Sequence, residues 1–179
     1  MQRRVVVTGM GTLSPVGNDV PTTWRAIIEG HSGITHITRF DAVKLDLKTH
    51  IAAEVKDFDP RDHFGPKECR RMDLFVQYAL VAAAEAIQDA AIESAVVDPY
   101  RAGVLVGSGI GGISTVLSQA RVMETRGPGR VSPFFIPMML IDMAAGEIAI
   151  RYGFKGPNMA VVSACASGAN SIGEAAEMI

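Results

Sequence analysis

The sequence predicts an α/β fold, in which short buried strands alternate with amphipathic helices. Apolar, valine-rich runs occur at residues 4–8, 102–106 and 159–163, and such short runs are typical of buried strands. Over residues 66–91, and again after residue 166, apolar side chains recur at three- and four-residue spacing, which is typical of helices. Glycines and other small residues follow the strands, as strand-to-helix junctions require.

Composition excludes several function classes. A chain of 179 residues, 48% hydrophobic and 20% charged, can bury a core and has the size of one domain or half of a two-lobed one. Its net charge of −2 gives no general case for binding nucleic acid or an anionic membrane. The run after Met1 is too short for a signal peptide. Residues 102–120 are uncharged but rich in glycine and serine, so we expect strand, loop and helix there rather than a membrane span.

The spacing of the cysteines and histidines does not match that of a metal-binding motif. Cys69 and Cys165 form no C-x-x-C pair, which favours a reducing compartment and leaves a single disulfide open. None of the histidines has metal-ligand spacing, and we expect all of them at the surface or in loops. They are His31, His36, His50 and His63.

The first third of the chain predicts a strand, a helix and a second strand. The run Arg4–Thr8 predicts a central strand. A helix should follow, capped by Asp19 or Thr22 and ended by Gly30. After a loop-rich stretch, residues 51–55 predict another strand. The expected inner face of the helix consists of Trp24, Ile27 and Ile28.

The longest helical pattern carries a basic cluster near its start. Lys67, Arg70 and Arg71 have i, i+3, i+4 spacing, so we expect them on one face of the first turns. Positive charge at a helix N-terminus opposes the dipole and suits docking of an acidic partner. A solvated charged face is the alternative. Cys69 lies inside this cluster, which we interpret as incidental.

Two glycine motifs raise the possibility of nucleotide binding. Gly9 and Gly11 begin a fingerprint whose third glycine is replaced by Ser14. Residues 107–112 match G-x-G-x-x-G after a predicted strand, and residues 113–122 predict a helix. The acidic residue expected at the end of a following strand is missing, since Glu124 falls in the same helix. The alternative is that these glycines allow close approach of backbone to a loop or a ligand.

A bulky apolar loop is predicted at residues 132–139, followed by a helix over residues 140–152. Large apolar groups held between two prolines are typical of a pocket or an interface. Core packing explains them equally well.

Cys165 is the candidate nucleophile. It lies between the predicted strand 159–163 and a predicted helix, among small residues. The unpaired N–H groups of a helix start favour a thiolate there and can bind the oxyanion formed when a thiolate attacks an acyl carbon. A buried, inert cysteine is the structural alternative.

Five motifs occur together and in order, and their combination closely resembles the N-terminal part of the type II β-ketoacyl-acyl carrier protein synthases. The cysteine motif Ser163-Ala164-Cys165 has serine where that family commonly has threonine, a change we expect to be tolerated. The resemblance extends over the whole chain. The five motifs are residues 5–11, 14–17, 107–112, 132–137 and 163–168.

This resemblance implies a thiolase-like fold of two similar α/β halves, of which residues 1–179 would be the first. It implies a cytoplasmic homodimer, with the strand before Cys165 pairing across the twofold axis. Cys165 would take an acyl chain from acyl carrier protein, and malonyl carrier protein would then decarboxylate and condense with it. The chemistry needs no redox cofactor and no metal, and nucleic acid and membrane are not expected partners.

The resemblance also assigns binding residues. Ile110 and Phe135 match positions that line the acyl tunnel, and Phe134 and Met138 lie beside them. Lys67, Arg70 and Arg71 match the positions that dock the acidic carrier protein. The set is therefore Cys165 as catalytic residue, with Ile110, Phe134, Phe135 and Met138 for the acyl chain and Lys67, Arg70 and Arg71 for docking.

One feature of the family is missing from the sequence. The family takes two histidines, a lysine and a phenylalanine from its second half, and none of the four histidines here stands in a matching place. We therefore expect this chain to be acylated at Cys165 but not to complete condensation. The alternatives are a polyketide ketosynthase of the same fold, a nucleotide-binding oxidoreductase, and a non-catalytic dimerising half-domain.

Overall fold

A computed structural model describes residues 4–92 and 98–179 of the chain. The chain divides into two compact units. The first contains the described parts of Met1–Val7, Pro60–Leu80 and Ile92–Ile179, and the second contains Thr8–Asp59 and Val81–Ala91. All the predicted site residues lie in the first unit.

Helix α1 of the second unit, Val20–Ile28, begins and ends where the sequence predicts. The Asp19 carboxylate accepts a hydrogen bond from the Thr22 N–H at 2.6 Å, and this bond lowers the pKa of Asp19. Gly30 follows the helix with a φ of 73°, in the left-handed region that favours glycine.

The predicted inner face of α1 is wrong. Trp24, Ile27 and Ile28 are 63%, 56% and 65% exposed, and Ala26 is the buried residue of this helix. Apolar spacing shows which side chains share a face, but it does not show whether anything in the same unit covers that face.

The predicted strand Arg4–Thr8 is also wrong, because no described strand pairs with it. Val6 and Val7 are 68% and 78% exposed. Valine-rich composition favours an extended chain, but a strand exists only where a neighbouring strand supplies hydrogen bonds.

Gly9 and Gly11 serve close packing within the second unit. A Cβ atom at either position would collide with a backbone carbonyl oxygen, that of Ala86 or that of Ala82. The segment therefore lies directly on helix α3 (Leu74–Asp89). These contacts explain both glycines without a nucleotide.

Two short strands, β1 (Thr35–His36) and β2 (Ile51–Ala52), form an antiparallel pair in the second unit. Thr35 is opposite Ala52, and His36 is opposite Ile51. The predicted strand over residues 51–55 is thus confirmed only for its first two residues. Among the described residues, the strands form two separate two-stranded sheets, this antiparallel pair and one parallel pair.

The predicted single helix over residues 66–91 is two helices, α2 (Pro66–Cys69) and α3 (Leu74–Asp89). Asp73 causes the break. Its backbone carbonyl accepts from Val76 and Gln77 N–H groups and its carboxylate from the Phe75 N–H, so it begins a new helix. Arg70 and Arg71 consequently lie after α2, not on the face of a continuous helix.

The first unit is built around the parallel strands β3 (Val104–Gly107) and β4 (Asn158–Val161). Val104 is opposite Asn158 and Gly107 is opposite Val161. Parallel strands need a crossover, and α4 (Ile113–Arg126), α5 (Phe135–Met139) and α6 (Met143–Tyr152) form it. Helix α7 (Ser167–Met178) follows β4 and packs on both strands. The buried apolar residues of this unit are Phe64, Met72, Val76, Leu80, Val104, Ala144, Ala145 and Ile148.

The crossover differs from the prediction in two places. Residues 135–139, expected in a loop, form the short helix α5, and the next helix begins at Met143 rather than at residue 140. Leu140 is extended and separates the two helices. Residues 102–120 form strand, loop and helix as predicted, and among the described residues no helix is long and apolar enough to cross a membrane.

Replacing Leu80 with alanine should destabilise the chain by about 2–5 kcal/mol, because it removes a large buried side chain and leaves a cavity. Leu80 is 1% exposed. Urea unfolding followed by circular dichroism measures the change in the free energy of unfolding. The control is Leu117→Ala, at a position 65% exposed, which should change that free energy by less than about 0.5 kcal/mol. Equal losses from both variants would contradict this core.

Candidate active site

Cys165 lies at a sharp turn between β4 and α7. Residues Ala164–Ala166 form one turn of 3-10 helix, and α7 begins at the next residue. The Cys165 thiol is free and exposed. Ala164 has a φ of 52°, a left-handed conformation that costs a non-glycine residue about 1 kcal/mol or more. The strand-to-helix junction predicted from the sequence is confirmed, and the cysteine is exposed rather than buried.

Side-chain hydrogen bonds hold this turn. The buried Ser167 hydroxyl donates to the Ala164 carbonyl at 2.7 Å and accepts from the Ser163 N–H at 2.9 Å. The Asn170 amide donates to the Ser163 hydroxyl at 2.6 Å. Since side chains tie both ends of the turn to α7, the strained Ala164 conformation is maintained. Ser163, which stands where the resembling family has threonine, keeps a hydroxyl in this network.

The N-terminus of α7 has no side-chain cap, because its N-cap residue, Ala166, offers no side-chain acceptor. The first N–H groups of a helix have no acceptor within the helix, and here the Ser167 N–H donates to the Ala164 carbonyl of the preceding turn. N–H groups at a helix start can bind the oxyanion formed during attack on an acyl carbon. The arrangement can support a nucleophilic cysteine.

The glycine loop 107–112 packs against this turn. A Cβ atom at Gly107 would collide with the Ser167 carbonyl oxygen, and one at Gly109 would lie 3.5 Å from the Ala164 carbonyl oxygen. The Ser108 N–H donates to the Val161 carbonyl at 3.3 Å. Close backbone approach thus explains these glycines, in agreement with the second interpretation of the motif.

The same loop also packs against the end of α5. A Cβ at Gly112 would collide with the Met138 carbonyl oxygen, and one at Gly111 would lie 2.7 Å from that of Met139. Gly111 has a φ of 75°, which favours glycine as well. The loop therefore lies between the cysteine turn and α5, and it brings Cys165, Ile110 and Met138 into one region.

The predicted acyl-chain residues differ in exposure. Ile110 is 67% exposed at the tip of the glycine loop, and Phe134 is 36% exposed at the start of α5. Phe135 and Met138 are half-buried on α5. Ile110 and Phe134 therefore contribute apolar surface that is exposed in this unit.

The predicted docking residues Lys67, Arg70 and Arg71 are all exposed. Glu68, the acidic residue among them, accepts a hydrogen bond from Arg151 at 2.8 Å and one from the Gly65 N–H at 2.9 Å. Because Arg151 pairs with the carboxylate, Glu68 does little to offset the positive charge of the cluster.

One contact joins the two predicted sets. The guanidinium of Arg71 lies 4.8 Å from the ring centroid of Phe134, a cation–π distance. Sequence reasoning missed this pair because 62 residues separate the two positions, and neither periodicity nor a motif connects them. It missed Asp73 and Thr115 for the same reason, although an aspartate in front of a helical pattern is a capping signal.

The prediction that the histidines lie at the surface or in loops is confirmed. All four histidines are exposed, and the described residues contain no cluster of three or more potential metal ligands. Cys69 is half-buried and free, and its thiol donates to the Phe64 carbonyl. The structure therefore has no disulfide between Cys69 and Cys165.

Comparison with known families decides the identity of the fold. The family model described as "Beta-ketoacyl synthase, N-terminal domain" matches residues 2–179. The chain belongs to this family.

The relatives that this β-ketoacyl synthase domain matches are more than twice as long as the chain. The chain is 51% identical over 177 residues to 3-oxoacyl-[acyl-carrier-protein] synthase 2 of Staphylococcus aureus strain COL, matching 99% of this chain and 42% of that protein. It is 46% identical over 178 residues to the protein of the same name from Vibrio harveyi, again matching 42% of it. The resemblance inferred from the motifs is confirmed.

Solved ketosynthases confirm the thiolase-like α/β fold. A type II polyketide ketosynthase, solved in complex with its acyl-carrier protein and bound to a hexaketide, matches with a TM-score of 0.82 at 25% identity, over 99% of this chain and 47% of that one. A β-ketoacyl synthase from Burkholderia phymatum STM815 has a TM-score of 0.76 at 24% identity, over 98% and 43%. The β3–loop–α4 and β4–turn–α7 units thus belong to a ketosynthase fold.

Replacing Ser167 with alanine should loosen the cysteine turn, because the Ser163 N–H loses its acceptor and the Ala164 carbonyl loses one of its two donors. We expect a loss of about 1–3 kcal/mol in the free energy of unfolding and a changed alkylation rate of Cys165 by iodoacetamide. The control is Ser171→Ala, one turn further along α7, where the hydroxyl donates only to the Gly168 carbonyl of the same helix. A wild-type alkylation rate in Ser167→Ala would show that the network does not hold the thiol.

Proposed function

We propose that this β-ketoacyl synthase domain carries the acyl-accepting site of a fatty acid condensing enzyme, with Cys165 as the residue that takes the acyl chain. The observation that supports the proposal is the exposed Cys165 thiol, held in a strained turn directly before the start of α7, which has no side-chain cap. Two 3-oxoacyl-[acyl-carrier-protein] synthases of 51% and 46% identity favour this reaction.

The proposed first step is a transfer between thiols. The Cys165 thiolate attacks the carbonyl carbon of an acyl thioester on acyl carrier protein, and a new S–C bond forms. The oxyanion of the tetrahedral intermediate is stabilised by N–H groups at the helix start. Collapse breaks the bond to the carrier's sulfur, which leaves as a thiolate and takes a proton from solvent. The acyl chain would then lie over Ile110, with Phe134, Phe135 and Met138 as further apolar wall.

Condensation is proposed to need residues outside these 179. The chain spans 42% of the curated relatives that it matches, in agreement with the interpretation of residues 1–179 as the N-terminal half of a two-half enzyme. The malonyl carrier protein would lose CO2, and its carbanion would attack the carbonyl carbon of the Cys165 thioester. The new C–C bond gives a 3-oxoacyl carrier protein, and the bond to sulfur breaks to release Cys165 as a thiolate. His63, the histidine of the first unit, is exposed and its ring lies beside that of Phe64.

We further propose a cytoplasmic homodimer that docks acyl carrier protein through Lys67, Arg70 and Arg71. The exposed basic side chains favour an acidic partner. Exposed apolar residues near β4 and on α7, Met159 and Ile172 among them, favour association of the first unit with another surface. The free cysteines favour a reducing compartment.

A polyketide ketosynthase is the second candidate, and the TM-score of 0.82 to such an enzyme supports it. The higher identity to the fatty acid enzymes favours the first candidate. Product analysis distinguishes the two candidates. A fatty acid enzyme performs one condensation on an acyl chain that has been reduced, whereas a polyketide enzyme extends a chain whose keto groups have not been reduced. A saturable fluorescence change on titration with NADPH would instead support the oxidoreductase.

Incubation with an acyl carrier protein thioester should add one acyl group to Cys165. Intact mass gives the number of adducts, and peptide mapping gives their position. Cys165→Ala should abolish the adduct, and the matched control Cys69→Ala should retain it. Labelling at Cys69 alone, or no labelling of a folded protein, would contradict the proposed role and leave a non-catalytic dimerising domain as the better explanation.

Neutralising the docking cluster should weaken transfer from the carrier protein only. We expect Lys67→Gln or Arg70→Gln to raise the KM for acyl carrier protein by roughly five- to tenfold at low salt, with a smaller effect at high salt because exposed charges are screened. Transfer from a small acyl thioester should not change. The control is Lys155→Gln. Lys155 is also exposed, and its ammonium group lies over the Tyr100 ring. An equal effect of all three variants would argue against a specific docking surface.

A further inference from the structure

Asp73 is a buried carboxylate that begins one helix and caps another. It is 8% exposed. Its Oδ1 accepts from the Phe75 N–H at 3.4 Å, at the start of α3. Its Oδ2 accepts from the Thr115 N–H at 3.1 Å and from the Thr115 hydroxyl at 2.5 Å, in the first turn of α4. One side chain therefore holds two helix N-termini together.

Helix α4 depends on this outside cap because it cannot carry its own. Its N-cap residue is Gly112, which has no side-chain acceptor. A serine or aspartate at that position would require a Cβ atom, and that atom would collide with the Met138 carbonyl oxygen. The packing that makes Gly112 necessary thus removes the ordinary cap, and Asp73 supplies it from 42 residues away in the sequence.

The segments directly before the two capped helices carry residues proposed for docking and for the acyl chain. Arg71 lies two residues before Asp73 and contacts Phe134. Ile110 lies at the tip of the glycine loop that leads directly into α4. The Asp73 carboxylate therefore fixes the docking segment on one side and the acyl-chain loop on the other.

We propose that Asp73, through Thr115, is the positioning residue that sets the acyl-chain loop relative to the carrier-docking segment. Asp73 touches no substrate in this role and acts through the backbone at Ile110 and Arg71. The inference rests on the proposed function, since it takes Ile110 as an acyl-chain contact and Arg71 as a docking residue. The link should govern how well long acyl chains are accepted from the carrier.

Cys165 itself should be insensitive to this link. Its turn is held by Ser163, Ser167 and Asn170, which form hydrogen bonds with one another and with the turn. Loss of the Asp73–Thr115 bonds therefore predicts impaired acyl transfer from the carrier with an unchanged intrinsic reactivity of the thiol. A role limited to stability would not produce that separation.

The test uses Thr115→Val in the full natural polypeptide. Valine keeps the shape of threonine and the backbone N–H bond but removes the hydroxyl donor. The conservative Thr115→Ser restores that donor, and Asp73→Asn alters the acceptor from the other side, so a second variant is available if one folds poorly.

The matched control is Ser118→Ala, which removes a hydroxyl that donates to the Thr115 carbonyl within α4. The three measurements are acyl transfer from carriers bearing a long and a short chain, iodoacetamide labelling of Cys165, and the thermal midpoint.

We expect kcat/KM for the long-chain carrier to fall roughly tenfold in Thr115→Val and Asp73→Asn, since misplacement by about 1 Å can cost up to a hundredfold. Short-chain transfer should fall less, and labelling of Cys165 should stay within twofold. Thr115→Ser and Ser118→Ala should match the wild type.

Three results would overturn the inference. They are equal loss for both chain lengths, parallel loss of thiol labelling, and a lowered thermal midpoint with wild-type transfer. Failure of the proposed function itself is distinct from these, because the wild-type protein would then accept no acyl chain from any carrier.

Discussion

The constraint on which the first unit depends is the close approach of the glycine loop to backbone on both of its sides. Gly107 lies against the Ser167 carbonyl, and Gly112 lies against the Met138 carbonyl. No side chain fits at either place. This packing fixes the distance between the end of β3 and the cysteine turn, and it fixes the start of α4 against α5. The position of Ile110 relative to α5 follows from it.

The same packing has an electrostatic consequence. A helix that must begin with glycine cannot cap its own N–H groups, so α4 takes its cap from Asp73. Asp73 in turn interrupts what would otherwise be one long helix, and the interruption places Arg70 and Arg71 in a connecting segment. From there, Arg71 reaches the Phe134 ring. The steric requirement for glycine at position 112 is thereby connected with the placement of the basic side chains Arg70 and Arg71 at the surface. It is also connected with Phe134, one of the apolar residues proposed to contact the acyl chain.

The start of α7 has no side-chain cap, whereas the start of α4 is capped by Asp73. Ala166 provides no acceptor at the start of α7, although a serine or aspartate there would stabilise the helix by about 1 kcal/mol. The turn also carries the left-handed Ala164 conformation. Structures that retain an uncapped helix and a strained residue in one turn commonly use that turn for chemistry. In this β-ketoacyl synthase domain the thiol of Cys165 stands at that point.

Local chemistry in the sequence determined much of the site. Three features were predictable because each depends on a few neighbouring residues: the cap at Asp19, the strand-to-helix junction at Cys165 and the glycine motif before α4.

The sequence alone did not determine whether Trp24 is covered, whether residues 4–8 find a partner strand, or that Asp73 divides residues 66–91. Those outcomes depend on groups distant in the chain. Only the tertiary structure brought Arg71 to Phe134 and Asp73 to Thr115, since contacts between such distant positions arise from packing and leave no periodic trace in the sequence.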